Sequence, residues 1–348
     1  MALCVDIRKK LGNFQLDVQF EAQEGLPLAL LGASGCGKSV TLKCIAGILT
    51  PDEGRIVLDG TTLFDSAAGI NLPPQKRQVG YLFQNYALFP NMTVRQNIVA
   101  AVRDRTEKNS VTEELLRRFR LEEIAVQRPA QLSGGQQQRT ALARILASQP
   151  KTILLDEPFS ALDSYLQYQL ELELMETLEA FSGALLWVSH DRSEVFRNCK
   201  QVCVLDRGCS QGTFTLDELF HRPVTEAAAR LSGCKNYANA KPSGSSVFLL
   251  EWGVTLDCGK PVSAETQRIG LRARRIFPAS EDTPNAIRCS VLRVIEDVFT
   301  TIVILRPENA ASDAPPLRME IAKDIWQSVP DKTKLTVAVH PQDVLLLK

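Results

Sequence analysis

The sequence contains a glycine-rich segment that ends in lysine and serine, a combination that can bind phosphate groups. Residues 32–39 read Gly-Ala-Ser-Gly-Cys-Gly-Lys-Ser, which fits the pattern G-x-x-x-x-G-K-[ST]. Glycines let successive backbone N–H groups turn inward around a phosphate, and the N-terminus of a following helix adds partial positive charge. The segment therefore predicts a site for the phosphates of a nucleoside triphosphate. Its predicted contacts are Gly32, Ala33, Ser34, Gly35, Cys36, Gly37, Lys38, Ser39 and Val40.

The segments on either side of this loop fit a strand and a helix. An apolar run over residues 26–31 predicts a buried strand, although Pro27 interrupts it, and residues 39–48 carry apolar side chains at helical spacing. A chance glycine-rich turn before a helix is the alternative interpretation. Because every fixed position of the pattern lies between strand and helix, we favour the nucleotide site.

The composition is that of a globular protein with more than one domain. The chain has 348 residues, of which 45% are hydrophobic and 23% charged, and this length predicts two or three domains. A formal net charge of zero argues against a nucleic-acid partner, since nucleic-acid binders usually carry a basic surplus. Nine cysteines without paired C-x-x-C spacing favour the cytoplasm. No apolar window reaches the length of about eighteen residues that a membrane-spanning helix needs, so we expect the chain to enter no membrane by itself.

Periodicity predicts an α/β domain followed by a β domain. Residues 3–20 alternate between apolar and polar around the turn Gly12-Asn13, which predicts an antiparallel hairpin. Later apolar runs alternate with helical segments, so we expect a parallel sheet with right-handed crossovers. These runs cover residues 79–83, 153–155 and 184–188. Beyond residue 233, short strands replace the long helices and predict a small β-barrel.

Polar side chains follow the buried strands. Gln84 follows the first, Asp156 and Glu157 follow the second, and His190 follows the third. Ligands bind at the carboxyl ends of strands in parallel sheets, so the two acids, Asp156 and Glu157, are expected to face the nucleotide. The alternatives are an acidic pair that merely ends a strand, a loop histidine and an ordinary polar strand end. Leu-Ser-Gly-Gly-Gln at residues 132–136 precedes a further predicted helix.

The order of these motifs resembles that of the ATP-binding-cassette (ABC) ATPases over about residues 1–232. The matching motifs are residues 32–39, Gln84, residues 132–136, residues 153–157, Ser160-Ala161-Leu162-Asp163 and His190. The resemblance implies an α/β P-loop ATPase domain over residues 1–232, with a mixed sheet, an antiparallel β subdomain and a helical subdomain at about residues 85–150. It also implies a small all-β domain over residues 233–348, similar to an oligonucleotide-binding (OB) or TOBE domain.

The same resemblance implies ATP and Mg²⁺ as ligands of the first domain. Lys38 would neutralise phosphate charge. The metal would be held, directly or through water, by Ser39, Gln84 and Asp156.

Three catalytic residues are also implied. Glu157 would polarise the attacking water as general base, and His190 would hydrogen-bond the γ-phosphate. Gln84 would sense that phosphate and link it to a membrane partner.

A head-to-tail homodimer follows from the resemblance as well. Ser133, Gly135 and Gln136 would meet the γ-phosphate bound to the opposite subunit, because they lie at a helix N-terminus, where anions bind. Asp163 would lie at the same interface.

One position departs from the family pattern. The family usually stacks adenine on an aromatic residue just before the glycine of the first hairpin, and here Leu11 stands before Gly12. Phe14 is the nearest aromatic residue. It either takes over the stacking role or belongs to the core of its strand, and selectivity for the base is expected to be loose in both cases.

The chain resembles, within that family, the ATPase subunits of importers. It carries one cassette without membrane helices, so the resemblance implies a separate integral-membrane permease, an external or periplasmic substrate-binding protein and a location on the cytoplasmic face of the membrane. Residues 79–90 resemble the molybdate and sulfate branch. Importers of iron(III), polyamines or sugars are the alternatives. A chromosomal or nucleic-acid-acting cassette ATPase is disfavoured, since no heptad repeats separate residues 38 and 132, and the presence of Glu157 and His190 argues against a non-hydrolysing module.

The C-terminal segment matches an oxyanion-binding barrel only in part. Residues 287–291 and 337–344 fall where barrel strands are expected. The lysine and serine contacts that are common in molybdate pockets are replaced near residues 340–342. The segment therefore either binds the transported oxyanion or serves as a dimerisation and docking module, with His340 as a surface loop residue.

Overall fold

The computed structural model describes residues 2–104, 106–159, 164–179 and 181–348. It divides the chain into two compact units, Met1–Leu216 and Asp217–Lys348. The predicted boundary at residue 232 and the helical subdomain over residues 85–150 stay predictions. The predicted motif Ser160-Ala161-Leu162-Asp163 lies outside the described residues.

The first unit is built on one mixed sheet. Its strands are β1 (Ala2–Leu11), β2 (Phe14–Gln23), β3 (Leu28–Leu31), β4 (Glu53–Leu58), β5 (Thr61–Asp65), β6 (Ile70–Asn71), β7 (Val79–Leu82), β8 (Thr152–Asp156), β9 (Ala184–Val188), β10 (Gln201–Asp206) and β11 (Cys209–Thr215). They lie in the order β6-β5-β4-β1-β2-β11-β10-β3-β9-β8-β7. The pairs from β10 to β7 are parallel, and β1 pairs antiparallel with β2 and β4. This mixed sheet confirms the predicted fold class of the first domain.

Every residue of β3, β8 and β9 is buried. Such continuous burial is typical of parallel strands that are covered on both faces. The helices of this unit are α1 (Lys38–Ala46), α2 (Val94–Val99), α3 (Lys108–Arg118), α4 (Gly134–Ala147), α5 (Ser164–Leu178) and α6 (Arg192–Asn198). On α5 the leucines at positions 170, 174 and 178 are buried, so this row belongs to the core.

A buried arginine fixes the C-terminal end of α1, the helix that follows the phosphate loop. The Arg77 side chain is 1% exposed and donates hydrogen bonds to the carbonyl oxygens of Cys44 and Ile45, at 2.8 and 2.9 Å. It also donates to the Leu72 carbonyl and the Asn71 side chain. A cation at this end satisfies carbonyls that have no partner within the helix and complements the helix dipole.

Strands β10 and β11 are among the strands of the first unit that sequence reasoning misses. β10 has a short apolar run, but β11 is largely exposed and lacks apolar alternation. A tight turn at Arg207 and Gly208, both with positive φ, places β11 antiparallel to β10. Because β11 lacks an apolar face, periodicity does not reveal this pairing.

The second unit contains two antiparallel sheets of five strands each. The strands are β12 (Asn236–Ser243), β13 (Ser246–Leu249), β14 (Val254–Asp257), β15 (Arg268–Leu271), β16 (Ile276–Pro278), β17 (Ile287–Glu296), β18 (Thr300–Pro307), β19 (Leu317–Ala322), β20 (Lys334–Val339) and β21 (Leu345–Leu347). Their orders are β14-β13-β12-β15-β21 and β16-β20-β17-β18-β19. Short helices accompany them, namely α7 (Leu216–His221), α8 (Glu226–Leu231) and α9 (Lys323–Ser328). The prediction of an all-β C-terminal domain is confirmed.

One core joins the strands of the second unit. It includes Trp252, Val303 and Met319, all fully buried. Across the described part of the chain, no helix combines the length and apolar character needed to cross a bilayer.

Candidate nucleotide site

The glycine-rich loop connects β3 to α1, as the sequence predicts. Gly35 and Gly37 have φ values of 78° and 106°, a region that glycine adopts without steric cost. A Cβ atom on Gly37 would lie 2.5 Å from Leu16 Cδ1, and one on Gly32 would lie 2.4 Å from the backbone oxygen of Leu205. The loop thus needs glycine at these positions both for its conformation and for its close packing on the sheet.

The Lys38 side chain lies against the loop that precedes it. It is 6% exposed, and its Nζ donates to the carbonyl oxygens of Gly32 at 2.8 Å and Ala33 at 3.1 Å. Cys36 is buried beside it, with Sγ 3.9 Å from Nζ. Burial raises the pKa of the Cys36 thiol, which keeps it in the protonated, unreactive form.

Asp156 accepts hydrogen bonds at both carboxylate oxygens. Ser39 Oγ donates to Oδ1 at 2.9 Å, and the Tyr81 hydroxyl donates to Oδ2 at 2.8 Å. Burial, together with the neighbouring carboxylate, raises the pKa of Tyr81, so its hydroxyl remains a donor. Two hard oxygen ligands, from Ser39 and Asp156, therefore meet at the sheet edge, and this donor set fits Mg²⁺.

Glu157 has an unusual backbone conformation. Its φ is 48°, in the left-handed region that non-glycine residues rarely adopt and that is often found at functional sites. Its backbone N–H donates to the Val188 carbonyl at 2.9 Å. His190 Nδ1 lies 3.4 Å from its Oε1. The two side chains therefore lie beside each other at the carboxyl ends of the parallel strands.

A cleft runs along the loop. It is lined by Leu11, Phe14, Ser34, Gly35, Gly37, Lys38, Ser39, Val40 and Glu157. Gln84 is exposed after β7 and is not among the described residues that line this cleft.

The two candidates for contact with the base differ in their surroundings. Phe14 is half-buried, and its ring packs beneath the loop, close to Gly37 and Gly208. Leu11 is 38% exposed. Both side chains line the cleft. Because Leu11 is the more exposed of the two, we predict that Leu11 contacts the base.

Ser133, Gly135 and Gln136 form the start of α4. Ser133 Oγ accepts from the Gln136 backbone N–H at 3.3 Å, and Gln136 Oε1 accepts from the Ser133 N–H at 2.9 Å, which completes a capping box. Gly135 packs against Leu170, with 3.0 Å between Leu170 Cδ2 and the position of an added Cβ. Within the described chain, these three residues do not line the cleft.

Sequence reasoning missed Tyr81 as a member of the site. The residue stands in an apolar strand that is parallel to the strand carrying Asp156. In the sequence Tyr81 is only a hydroxyl-bearing residue in an otherwise apolar strand. The register of β7 against β8 pairs it with Leu154, two residues before Asp156, and so reveals the contact.

Comparison with known proteins supports the same family. The family model described as ABC transporter matches residues 16–160. The molybdenum import ATP-binding protein ModC of Paramagnetospirillum magneticum is 34% identical over 86% of this chain and 84% of its own length. The sulfate/thiosulfate import ATP-binding protein CysA of Synechocystis sp. is 36% identical over 70% of the chain and 68% of its own length.

Other matches cover less of the molecule. The putrescine transport ATP-binding protein PotG of Escherichia coli is 39% identical over 63% of this chain and spans 58% of that relative. Among solved structures, the dimeric ATP-binding cassette MJ0796 in a post-hydrolysis state with ADP and Pi aligns with a TM-score of 0.51 and 29% identity. That alignment covers 62% of this chain and 99% of the other.

We predict that Leu11→Tyr tightens ATP binding. An aromatic ring stacks on a base with about 1–3 kcal/mol, so the affinity for ATP should rise about 5- to 150-fold. Titration of ATP and GTP against the wild type and the variant measures this. Leu11→Ile is the matched aliphatic control. Equal ATP affinity in Leu11→Tyr and Leu11→Ile would contradict the assignment of Leu11 to the base site.

Proposed function

Because the chain belongs to the family of ABC transporter ATP-binding subunits, and is an ATPase, we propose that it energises the uptake of a small anion, molybdate or sulfate, through a separate membrane permease. The extent of the similarity to the molybdenum import protein carries this proposal. A match over 86% of the chain cannot be contained in the first unit, which ends at residue 216 of 348, so it reaches into the second. The subunit would work on the cytoplasmic face of the membrane.

The proposed role of each site residue follows from its contacts. Lys38 neutralises the charge of the β- and γ-phosphates, and the backbone N–H groups of residues 33–39 cradle them. Ser39 and Asp156, which already share a hydrogen bond, would hold Mg²⁺ together with Gln84. Bound there, the ion would neutralise phosphate charge.

Hydrolysis requires a base near the γ-phosphate. Glu157 lines the nucleotide cleft and would polarise the attacking water, and His190, beside it, would hydrogen-bond the γ-phosphate. Gln84 would report the state of the nucleotide to the permease.

We predict that Glu157→Gln lowers the ATPase rate by about 10²–10⁴-fold while ATP still binds. The amide keeps the shape of the side chain but cannot accept the proton of water. Single-turnover hydrolysis and equilibrium ATP binding separate the two steps. The same substitution at Glu179, an exposed residue just after α5, serves as the control. A Glu157→Gln variant with an unimpaired rate would refute the assignment of the base.

The proposed active form is a head-to-tail homodimer. Ser133, Gly135 and Gln136 do not line the cleft within the described chain, yet they form a capped helix N-terminus that can bind an anion. Each would contact the γ-phosphate of the opposite subunit, and Asp163 would belong to this interface.

Ser133→Arg should abolish turnover and leave ATP binding by the monomer intact. A bulky cation in place of the capping serine fills the space where the partner's phosphate is expected. ATP binding by dilute protein and ATP-induced dimerisation are the measurements, with Ser148→Arg at the opposite end of α4 as control. If Ser133→Arg prevents ATP binding by the monomer, the site is not shared between subunits.

The second unit is proposed as either an anion sensor or a dimerisation module. His340 is exposed and packs against Phe277 with tilted rings, 4.7 Å between ring centroids. This is a surface position without the lysine and serine contacts of a molybdate pocket. The tip of the β17–β18 hairpin carries Val298 and Phe299, which are 73% and 85% exposed. An apolar tip of this kind favours contact with a second copy of the chain. Iron(III), polyamines and sugars remain the alternative cargoes.

Calorimetric titration of the full-length protein with molybdate, tungstate and sulfate tests the proposed substrate class. An anion sensor predicts binding together with inhibition of the ATPase, and chloride at equal ionic strength is the control. Absence of both effects would leave ATP-driven import standing and would remove the sensor role of the second unit.

A further inference from the structure

A buried carboxylate lies behind the hydrolytic residues and plays no part in the roles assigned so far. Glu194 is on the first turn of α6 and is 4% exposed. Its Oε1 accepts a hydrogen bond from Trp187 Nε1 at 2.5 Å, and its Oε2 accepts one from Ser189 Oγ at 2.8 Å. The carboxylate therefore joins the end of β9 to the start of α6.

These hydrogen bonds continue into the turn that carries His190. Ser189 is 2% exposed, and its Oγ accepts from the Asp191 backbone N–H at 2.9 Å. The Asp191 side chain caps α6 through the Ser193 N–H at 2.7 Å. Both neighbours of His190 are thus fixed, whereas the His190 side chain itself is 65% exposed. Its position depends on the backbone that Glu194 and Ser189 hold.

The hydrogen-bond network of Glu194 and Ser189 also lies next to Glu157. Glu194, Ser189, His190 and Glu157 line one small pocket. Phe159, two residues after Glu157, packs against Trp187 with 6.1 Å between ring centroids. Glu194 is therefore connected to His190 through Ser189, and to Glu157 through Trp187 and Phe159.

On this geometry, and resting on the proposed roles of Glu157 and His190, we propose that Glu194 is a positioning residue for ATP hydrolysis. Its carboxylate fixes Ser189 and the Asp191 backbone, and so keeps His190 directed at Glu157. It does not contact the nucleotide cleft.

The charge of Glu194 distinguishes this role from simple packing. The pKa of Glu194 is raised to about 7, mainly by burial. The two hydrogen bonds lower this pKa, and the carboxylates of Glu171 and Asp191 raise it. Arg197 faces the same cluster and binds both oxygens of Glu171 at 2.7 Å.

Protonation of Glu194 favours the folded state. Because this pKa is raised above the ordinary 4.5, the folded state binds the proton more tightly than the unfolded state between those two pH values, and that stabilisation is lost as the pH rises through about 7. The ionised carboxylate therefore does not favour folding. It is, however, the form that accepts both hydrogen bonds without donating a proton.

The test is the ATPase activity of the full-length protein as a function of pH. In Glu194→Gln one of the two acceptor oxygens is replaced by an amide NH₂ group, so one hydrogen bond to Trp187 or Ser189 is lost. The resulting small displacement of His190 should lower kcat by about 10–100-fold. The KM for ATP should stay within about twofold, since Lys38 and Ser39 are untouched. The acid-side loss of wild-type activity near pH 7 should disappear in the variant.

Two further variants separate positioning from folding. Ser189→Ala removes only a hydroxyl and should lower kcat in the same direction, while the protein stays folded at the assay temperature despite a lower thermal midpoint. Glu171→Gln removes a negative charge that faces Glu194, so the acid-side loss should move to lower pH while kcat at pH 8.5 stays at the wild-type value.

Wild-type kcat and pH dependence in Glu194→Gln would overturn the proposal. So would a loss of kcat in Ser189→Ala that is matched by an equal loss of folded protein. Failure of the underlying assignment has a different signature, because Glu157→Gln and His190→Ala would then retain activity whatever Glu194→Gln does.

Discussion

The hydrogen bond between Ser39 and Asp156 is the contact on which the nucleotide site depends. Ser39 lies in the first turn of α1, and Asp156 ends β8, a strand separated from β3 by β9 in the sheet. The bond joins the phosphate loop to the strand that leads directly into Glu157. Because Tyr81 occupies the second oxygen of the same carboxylate, the orientation of Asp156 is fixed from two sides. The sheet thus sets the distance between the phosphate-binding and hydrolytic residues.

The surroundings of the loop show why this distance is rigid. Gly32 and Gly37 leave no room for a Cβ atom, and Arg77 holds the far end of α1 through the carbonyl oxygens of Cys44 and Ile45. Both ends of the loop–helix unit are therefore anchored on buried contacts. A closely packed interior transmits small displacements and does not absorb them, so the position of the Lys38 backbone is coupled to packing well away from any phosphate.

Most of the first unit could be predicted from sequence because its strongest signals are local. The hairpin of residues 2–23, the buried strand before Asp156 and the helix after Lys38 each follow from periodicity, and the fixed motifs place their polar ends. Tyr81 and Glu194 could not be identified in this way. A tyrosine in an apolar strand and a glutamate on a helix have ordinary local explanations, and only the register of β7 against β8 and the packing of α6 against β9 show what they contact. The strand β11 was missed for the same reason.

The residues proposed for phosphate binding and those proposed for hydrolysis are held in position by different contacts. Phosphate binding, as proposed, relies on backbone N–H groups and on Lys38, which are fixed by the loop itself. The proposed hydrolytic residues, Glu157 and His190, are side chains at strand ends, and His190 is largely exposed, so their geometry has to come from the residues behind them. The left-handed backbone of Glu157 destabilises the folded state, and so does the buried carboxylate of Glu194 near His190. Both features lie where the proposed reaction would activate a water. Their cost in stability agrees with a site in which the position of the reacting groups matters more than stability.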